Sequence, residues 1–268
     1  MASGTDGGST AAERWADELA AWAVDPEILA AAPGPSDELP PALFAAGQDR
    51  TPSPSAELAR SALRPGGRVL DVGAGAGATS LDVVPPGGHL HAVDTQPSML
   101  RALEAGARDR GLDVTTYVGT WPDVADQVPE CDVAVCAHVL YNVPDLAPFA
   151  TALTGKTRDL VVVDLTGTHP LTRLAPIWEA VHGQPLPTGP TADLAVAVLR
   201  EAGLDPEVHE RVYQPVVRTG ALLETWIDLT RQQLYLPPER RDEVVQLMQR
   251  HPAAPRRTVV LSWPGSGA

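Results

Sequence analysis

The sequence predicts an α/β fold: a seven-stranded, mostly parallel sheet with helices on both faces, plus a helical cap. Three observations predict it. From residue 69 onward, short apolar runs alternate with helix-compatible segments, the rhythm of strand–helix–strand units. The first run, in "VLDVGAGAGATS" (69–80), opens into three spaced glycines. The second, "HLHAVD", ends on an acid, Asp94.

Each element has its own signal. Trp15, Leu19 and Trp22 recur at helical spacing, so residues 11–24 read as an amphipathic helix. "PEILAAAPGPSDELPPALFAAG" is broken by prolines into short helices and turns. "TPSPSAELARSALRPGG" carries a start signal, a helix and a glycine stop at Gly66–Gly67. Val69–Val72 is the first strand, followed by a short helix from Ala78 to Val84. "HLHAVD" is the second strand, and a helix from Ser98 to Arg110 stops at Gly111. "VTTYVG" and "CDVAVCAH" are strands three and four, with a helix over residues 144–153. "DLVVVDLT" is the fifth strand, and a helix over 191–202 stops at Gly203. "PEVHERVYQP" and "RRTVVLSWP" are the last two strands.

Between those two lie residues 219–250, far more than a hairpin needs. Leu222, Leu223, Trp226, Ile227, Thr230 and Leu234 mark one helix there, and Val244, Val245 and Met248 a second. The division expected is a disordered tail at 1–10, an N-terminal helical cap at 11–66, and a catalytic domain at 67–268. The insertion and the N-terminal helices are expected to cover the carboxyl edge of the sheet, where open α/β sheets bind ligands.

Composition narrows the function. A formal net charge of −14 repels nucleic acid, whose binding rests on phosphate neutralisation. No apolar run reaches the roughly 18 residues of a membrane span. "MASGTDGGST" has no apolar signal core, so the chain is expected to be cytoplasmic. Cys131 and Cys136 sit on one strand, roughly 16 Å apart at about 3.3 Å per residue. Their odd separation puts them on opposite faces, so they read as small buried hydrophobes in a reducing compartment. No histidine pair with a carboxylate has metal-ligand spacing, so no metal is expected.

The glycines let the backbone turn tightly and approach a ligand. Gly73, Gly75 and Ala78 also satisfy the dinucleotide pattern G-x-G-x-x-A, so a nicotinamide oxidoreductase is one reading. Two facts oppose it. Asp71, two residues before Gly73, would repel a diphosphate and attract a cationic amino group. No Tyr-x-x-x-Lys pair exists, since Lys156 is the only lysine and Ala152 stands four before it. Asp94, about 20 residues past the glycines, suits a carboxylate accepting both ribose hydroxyls. A phosphate-free ligand with an amino-acid cation and a ribose fits these charges.

On these residues the chain resembles the class I S-adenosylmethionine-dependent methyltransferases, from about Gly67 to Gly203. "VLDVGAGAGATS" resembles their cofactor loop and "HAVDTQPSML" their ribose segment. "VGTWPDV" stands where the family contacts adenine, with Thr120 in place of the usual acid and Trp121 beside it. "CDVAVCAHVLYNVPDL" resembles the fourth-strand segment and "VLREAGLDP" the late helix-turn. "THPLTRLAPIWEAVHG" resembles a segment of uncharacterised actinobacterial members. The resemblance implies a Rossmann-like sheet, S-adenosylmethionine as cofactor, and cofactor contacts from Asp71, Gly73, Ala74, Gly75, Gly77, Asp94, Thr95, Gln96, Thr120, Trp121 and His138. Arg50, ahead of the helix that leads into the first strand, is a candidate fork for the cofactor carboxylate.

Methyl transfer from a sulfonium is an in-line displacement, so a base is needed only when the nucleophile holds its proton. His138, at the carboxyl end of the fourth strand, is a candidate base, a cofactor or substrate contact, or a structural hydrogen-bonding group. His169, in "GTHP", is a second candidate base, or a turn residue. Tyr141, His169, Trp178 and Trp226 are the candidate acceptor pocket, against plain core packing. "NPPY", which in the family goes with amide or base nitrogens, is absent; "YNVPDL" stands there. With the acidic charge, this favours a small-molecule acceptor with an oxygen or nitrogen nucleophile, and a monomer or homodimer. A non-catalytic S-adenosylmethionine-binding protein is the remaining alternative.

Overall fold

The computed structural model describes residues 9–31, 38–45 and 53–267. The expected tail at 1–10 therefore falls almost wholly outside the described residues, as does Arg50. Seven strands form one sheet: β1 (Arg68–Val72), β2 (His89–Asp94), β3 (Asp113–Val118), β4 (Cys131–Ala137), β5 (Thr157–Thr166), β6 (Glu207–Tyr213) and β7 (Arg256–Pro264). Their order is β3-β2-β1-β4-β5-β7-β6. Only the pairings of β7, with β5 and β6, are antiparallel. The chain runs outward from β1 to β3 and then crosses back to β4, so the switch point lies between β1 and β4. A crevice opens there at the carboxyl edge.

Strand alternation splits the sheet into two apolar faces. Leu70, Val72, Ala134, Val161 and Val163 point to one face. There they meet α1 (Ala11–Ala20), α5 (Leu146–Gly155) and α7 (Ala192–Glu201), which bring Trp15, Phe149, Leu153 and Leu199. Val69, Leu90, Val133, Val135 and Val162 point to the other face. There they meet α3 (Pro54–Ser61) and α4 (Pro97–Arg110), which bring Ala56, Ala59, Leu100 and Leu103. Strands buried on both sides read as continuous apolar runs, and for that reason "DLVVVDLT" is legible.

A third cluster stands apart from the sheet. It gathers Leu174, Trp178, Ile227, Leu234, Val244 and Leu247, with Val24 and Ile28 against it. Its helices are α2 (Pro26–Ala31), α6 (Ala175–His182), α8 (Gly220–Gln233) and α9 (Arg241–Arg250). The cap thus draws on residues after β5 as well as on the expected insertion. The N-terminal helices do not all cover the edge. The α1 helix lays a fully buried Trp15 on the sheet face, and α3 does the same with Ala59 on the opposite face.

Two local expectations need correction. The α-helix expected at Ala78–Val84 is a single 3-10 turn, Ser80–Asp82. Gly77 before it is held at φ +82°, and Pro85 beyond it disfavours helical backbone at Val84, so too few residues remain to nucleate an α-helix. The two cysteines do not face opposite ways. The β4 register shifts between Cys131 and Val133, and that irregularity returns Cys131 to the face of Cys136. Both are buried free thiols. Burial pushes Cys131 up to about 12 and raises Cys136 further, so neither is a nucleophile at neutral pH.

Trp15 ties α1 to the sheet layer. It stacks on Tyr141 at 5.6 Å and its indole N–H donates to the Val143 carbonyl at 2.8 Å. Trp15→Ala is expected to cost about 3–5 kcal/mol of unfolding free energy. Urea melts of the two proteins measure it.

Candidate active site

The glycine turn is fixed by its neighbours. The amides of Gly73 and Ala74 both donate to the Val93 carbonyl, at 2.8 and 3.0 Å, which staples the end of β1 to β2. Gly73 has φ +72°, and a Cβ there would lie 2.2 Å from Val139. The chain after β4 therefore packs directly on the turn, and only glycine permits it. Gly75 differs: its φ is +53°, and a Cβ would meet nothing within 4 Å. That open space is the cradle a ligand would fill. Because no α-helix follows, the loop lacks the helix N-terminus that holds diphosphates in dinucleotide folds.

Asp94 closes the cradle. One carboxylate oxygen accepts the Gly75 amide and the other the Gln96 amide, both at 2.8 Å. Each oxygen keeps a second lone pair for a hydroxyl. The Asp94 carbonyl accepts the Gly119 amide at 3.0 Å, which brings the loop after β3 to the same place. Thr120 in that loop is exposed. Trp121 is packed into the core, its indole N–H donating to the Phe149 carbonyl at 3.3 Å. It therefore backs the loop from inside and presents no free ring to a ligand.

Thr95 is exposed, but Gln96 is buried and already engaged. Its amide side chain accepts from the Leu39 N–H at 2.8 Å and donates to the Leu39 carbonyl at 2.7 Å. Ala45 also forms an antiparallel backbone bridge with Gly77. Gln96 is thus a clasp for the N-terminal segment.

Two buried acids line the α3 face of the crevice. Burial pushes Asp71 up to about 7, with the hydroxyl of Ser80 opposing and the charge of Asp94 adding to the rise. The Ser80 hydroxyl falls short of a full hydrogen bond in this geometry. The second acid, Asp164 on β5, accepts the Ser55 hydroxyl at 2.8 Å. Sequence reasoning missed it. Its signal is an acid within the last residues of an otherwise apolar strand, at the end where ligands bind. Its carbonyl accepts the His138 amide at 2.7 Å. His138 is exposed at this edge with φ +60°, a left-handed conformation rare outside glycine.

The other expected pocket residues part company. Tyr141 is buried, and its hydroxyl donates to the Thr166 carbonyl at 2.5 Å. Burial raises its pKa above the ordinary phenol range, so it packs and positions. His169 is not a base of useful strength. Burial lowers it to about 4, its Nδ1 accepts the Leu171 amide at 3.3 Å, and its ring stacks on Trp22 at 3.8 Å. It caps the 3-10 turn Pro170–Leu174. Trp178 and Trp22 do line a cavity of about 780 Å³, together with Leu39, Leu171, Gln233 and Tyr235. Trp226 is not among its walls. The guanidiniums of Arg173 and Arg218 lie over its ring instead.

Comparison with known proteins now decides the family. A family model described as a methyltransferase domain matches residues 69–158, the stretch from β1 into β5. The ubiquinone biosynthesis O-methyltransferase of Xanthomonas axonopodis pv. citri (strain 306) is 30% identical over 173 residues, 59% of this chain and 72% of that protein. This chain belongs to the class I S-adenosylmethionine-dependent methyltransferases. Its cofactor is S-adenosylmethionine. The same-named protein of Xylella fastidiosa (strain 9a5c) is 32% identical over 88 residues, 32% of this chain, so the chain spans about a third (36%) of that relative's length. A methyltransferase from Thiobacillus denitrificans, solved with S-adenosyl-L-homocysteine, shares the fold with a TM-score of 0.51 at 17% identity, covering 82% of this chain and 95% of that one. Among the described residues no helix is long and apolar enough to cross a membrane, and no cluster could hold a metal ion.

The raised Asp71 has a measurable consequence. In the unfolded chain it ionises near 3.8, in the fold near 7. The folded state therefore holds the proton more tightly, and stability from this group is complete below about 3.8 and lost as pH rises through about 7. Asp71→Asn is expected to flatten that decline. Urea melts at pH 5 and pH 8 check it, and an unchanged difference between the two pH values contradicts it.

Proposed function

We propose that the protein transfers a methyl group to an oxygen or nitrogen of a small-molecule acceptor held in the apolar cavity under the cap. The observation that carries this reading is the adjacency of two unlike sites. An open cradle at Gly75 lies beside the carboxylate of Asp94. An apolar cavity of about 780 Å³ shares with it the segment around Leu39 that Gln96 clasps. S-adenosylmethionine, when bound, supplies an electrophilic methyl on a sulfonium.

The chain's residues then have distinct tasks. Asp94 accepts the ribose hydroxyls with its spare lone pairs, and Gly73, Ala74, Gly75 and Gly77 leave room for the ligand against the backbone. Asp71, ionised, balances the cofactor's ammonium. A buried carboxylate repels diphosphate, so the pair of acids also selects against nucleotides. Trp22, Trp178 and Tyr235 keep water from the acceptor and hold its flat face, which lets proximity lower the barrier. His138, exposed just after β4, takes the acceptor's proton; His169, pushed down to about 4, stays neutral and braces Trp22. Oxygen is the first acceptor atom to test, because the Xanthomonas relative is an O-methyltransferase by name.

S-adenosylhomocysteine at a hundred times its Kd is expected to stabilise the protein by about 2.7 kcal/mol, read as a thermal shift. Reduced nicotinamide dinucleotide is expected to give none. Asp94→Ala should weaken S-adenosylhomocysteine roughly tenfold or more by calorimetry, since two charge-assisted bonds are lost. A shift from the dinucleotide alone would overturn the reading. With an acceptor in hand, His138→Gln is expected to lower kcat roughly a hundredfold at unchanged cofactor affinity. Equal turnover would remove His138 as the base.

A further inference from the structure

The arginines on and beside the cap differ in what holds them. Arg257 is held by Asp193 and Glu210, Arg241 by Glu224 and Asp228, and Arg240 by Glu243. Arg173, Arg218 and Arg256 are different. Among the described residues, no carboxylate forms an ion pair with any of them. Instead they gather on one another. The Arg173 and Arg218 guanidiniums lie 4.5 and 4.1 Å from the centre of the Trp226 ring. Arg256 donates to the Pro170 carbonyl at 3.5 Å, at the start of the turn that carries Arg173. Desolvation, then Arg256 and Arg218, push Arg173 down to about 9. Burial lowers Arg256 as well, with Tyr213 opposing that fall and Arg218 adding to it.

Such an arrangement is costly. Three like charges repel, and a desolvated guanidinium without an anion forfeits hydration that a neutral partner only partly restores. The Trp226 ring returns some of that cost through cation–π attraction. It supplies no negative charge. In a chain of net charge −14, carboxylates are abundant, yet among the described residues none forms an ion pair here. The cluster also adjoins the cavity. Arg173 donates to the Gln233 side chain, and Gln233, Leu171 and Leu174 line the cavity wall. Arg173 lies between those two leucines in the sequence and shares their turn.

The geometry points to Arg173, Arg218 and Arg256 as an oxyanion-binding subsite at one end of the acceptor cavity, so that the acceptor is an apolar, flat-bodied molecule bearing a carboxylate or phosphate. The inference rests on the cavity being the acceptor site. Planar guanidiniums suit such a group because they present paired donors to two oxygens at once. The acidic cradle and the cationic cluster then lie at opposite ends of the bound pair. An anionic acceptor is repelled from the cofactor's place and drawn, tail first, toward the arginines, leaving its nucleophile at the crevice.

The test uses the full chain saturated with S-adenosylhomocysteine and four probes: phenylacetate, its neutral amide phenylacetamide, phenyl phosphate and inorganic phosphate. Calorimetry is expected to show phenylacetate or phenyl phosphate binding at least tenfold more tightly than phenylacetamide, with the tighter of the two identifying the oxyanion. Arg173→Gln and Arg218→Gln should each weaken the anionic probe about tenfold and leave S-adenosylhomocysteine unchanged, the loss expected for one charge-assisted bond. Arg218 stands before α8 rather than within it, so its variant keeps the test open should Arg173→Gln misfold. Equal affinity for acid and amide would overturn the subsite, as would anion binding indifferent to both substitutions. Inorganic phosphate binding with no preference among the phenyl probes would also overturn it, since the cavity would then play no part. Absence of S-adenosylhomocysteine binding would instead refute the cofactor cradle, a separate failure.

Discussion

Asp94 gathers three chain segments at one corner of the sheet. It receives the amide of Gly75 from the turn after β1 and the amide of Gln96 from the start of α4, while its own carbonyl receives Gly119 from the loop after β3. A buried or half-buried carboxylate needs such donors, because charge withdrawn from water must find compensation nearby. Once they are met, the crevice has a fixed width, and the open side of Gly75 faces into it. The clasp between Gln96 and Leu39 depends on the same corner and carries the N-terminal segment across the opening. Loosen Asp94 and the cradle, the clasp and the near wall of the cavity all lose their reference point.

Electrostatics organises the rest. Asp71, Asp94 and Asp164 place acid along the crevice end of β1, β2 and β5. Arg173, Arg218 and Arg256 place base beneath the cap on the β7 side of the sheet. The cavity beside the arginines is walled largely by aromatic and aliphatic side chains. The fold can hold both acid and base because β7 runs antiparallel. That reversal brings the first residues of β7, not its last, to the carboxyl edge of β5, and Arg256 and Arg257 stand there. Arg257 is spent on Asp193 and Glu210. Arg256 is left facing the cap.

Much of this was legible in the sequence, and what escaped has physical causes. Continuous apolar runs exposed the strands because parallel strands are buried on both faces. The glycine turn and Asp94 were legible because backbone approach and hydroxyl binding demand particular residue types at particular spacing. Trp226 and Tyr141 stay open between pocket and core packing in the sequence, since an aromatic side chain signals burial without saying against what. Gln96 also holds another segment, a long-range pairing across 57 positions that no local pattern announces. The parity of Cys131 and Cys136 failed at a single register shift, which one strand's sequence does not encode. Asp164 was readable in principle, as an acid inside an apolar strand. The arginine cluster was not: its members come from three separate elements, and their lack of acid partners exists only in three dimensions.

The cap explains why the cluster and the cavity belong together. Its helices share an apolar core of their own, centred on Trp178, Leu234 and Val244, and they rest on the sheet's edge through few elements. The turn Pro170–Leu174 is one of these, and it serves both sides. Its first residue accepts from Arg256, its leucines line the cavity, and the histidine that caps it stacks on Trp22 from the N-terminal segment. Five residues of 3-10 helix cannot be stable alone, because so short a helix recovers too few hydrogen bonds for the backbone it fixes. Its conformation must come from these contacts. A ligand that bridges Arg173 and the cavity wall would therefore tighten the turn, and with it the seating of the cap on the crevice. On the proposed reading, the acceptor's anion would then seat the cap over the cofactor as it neutralises the Arg173 charge.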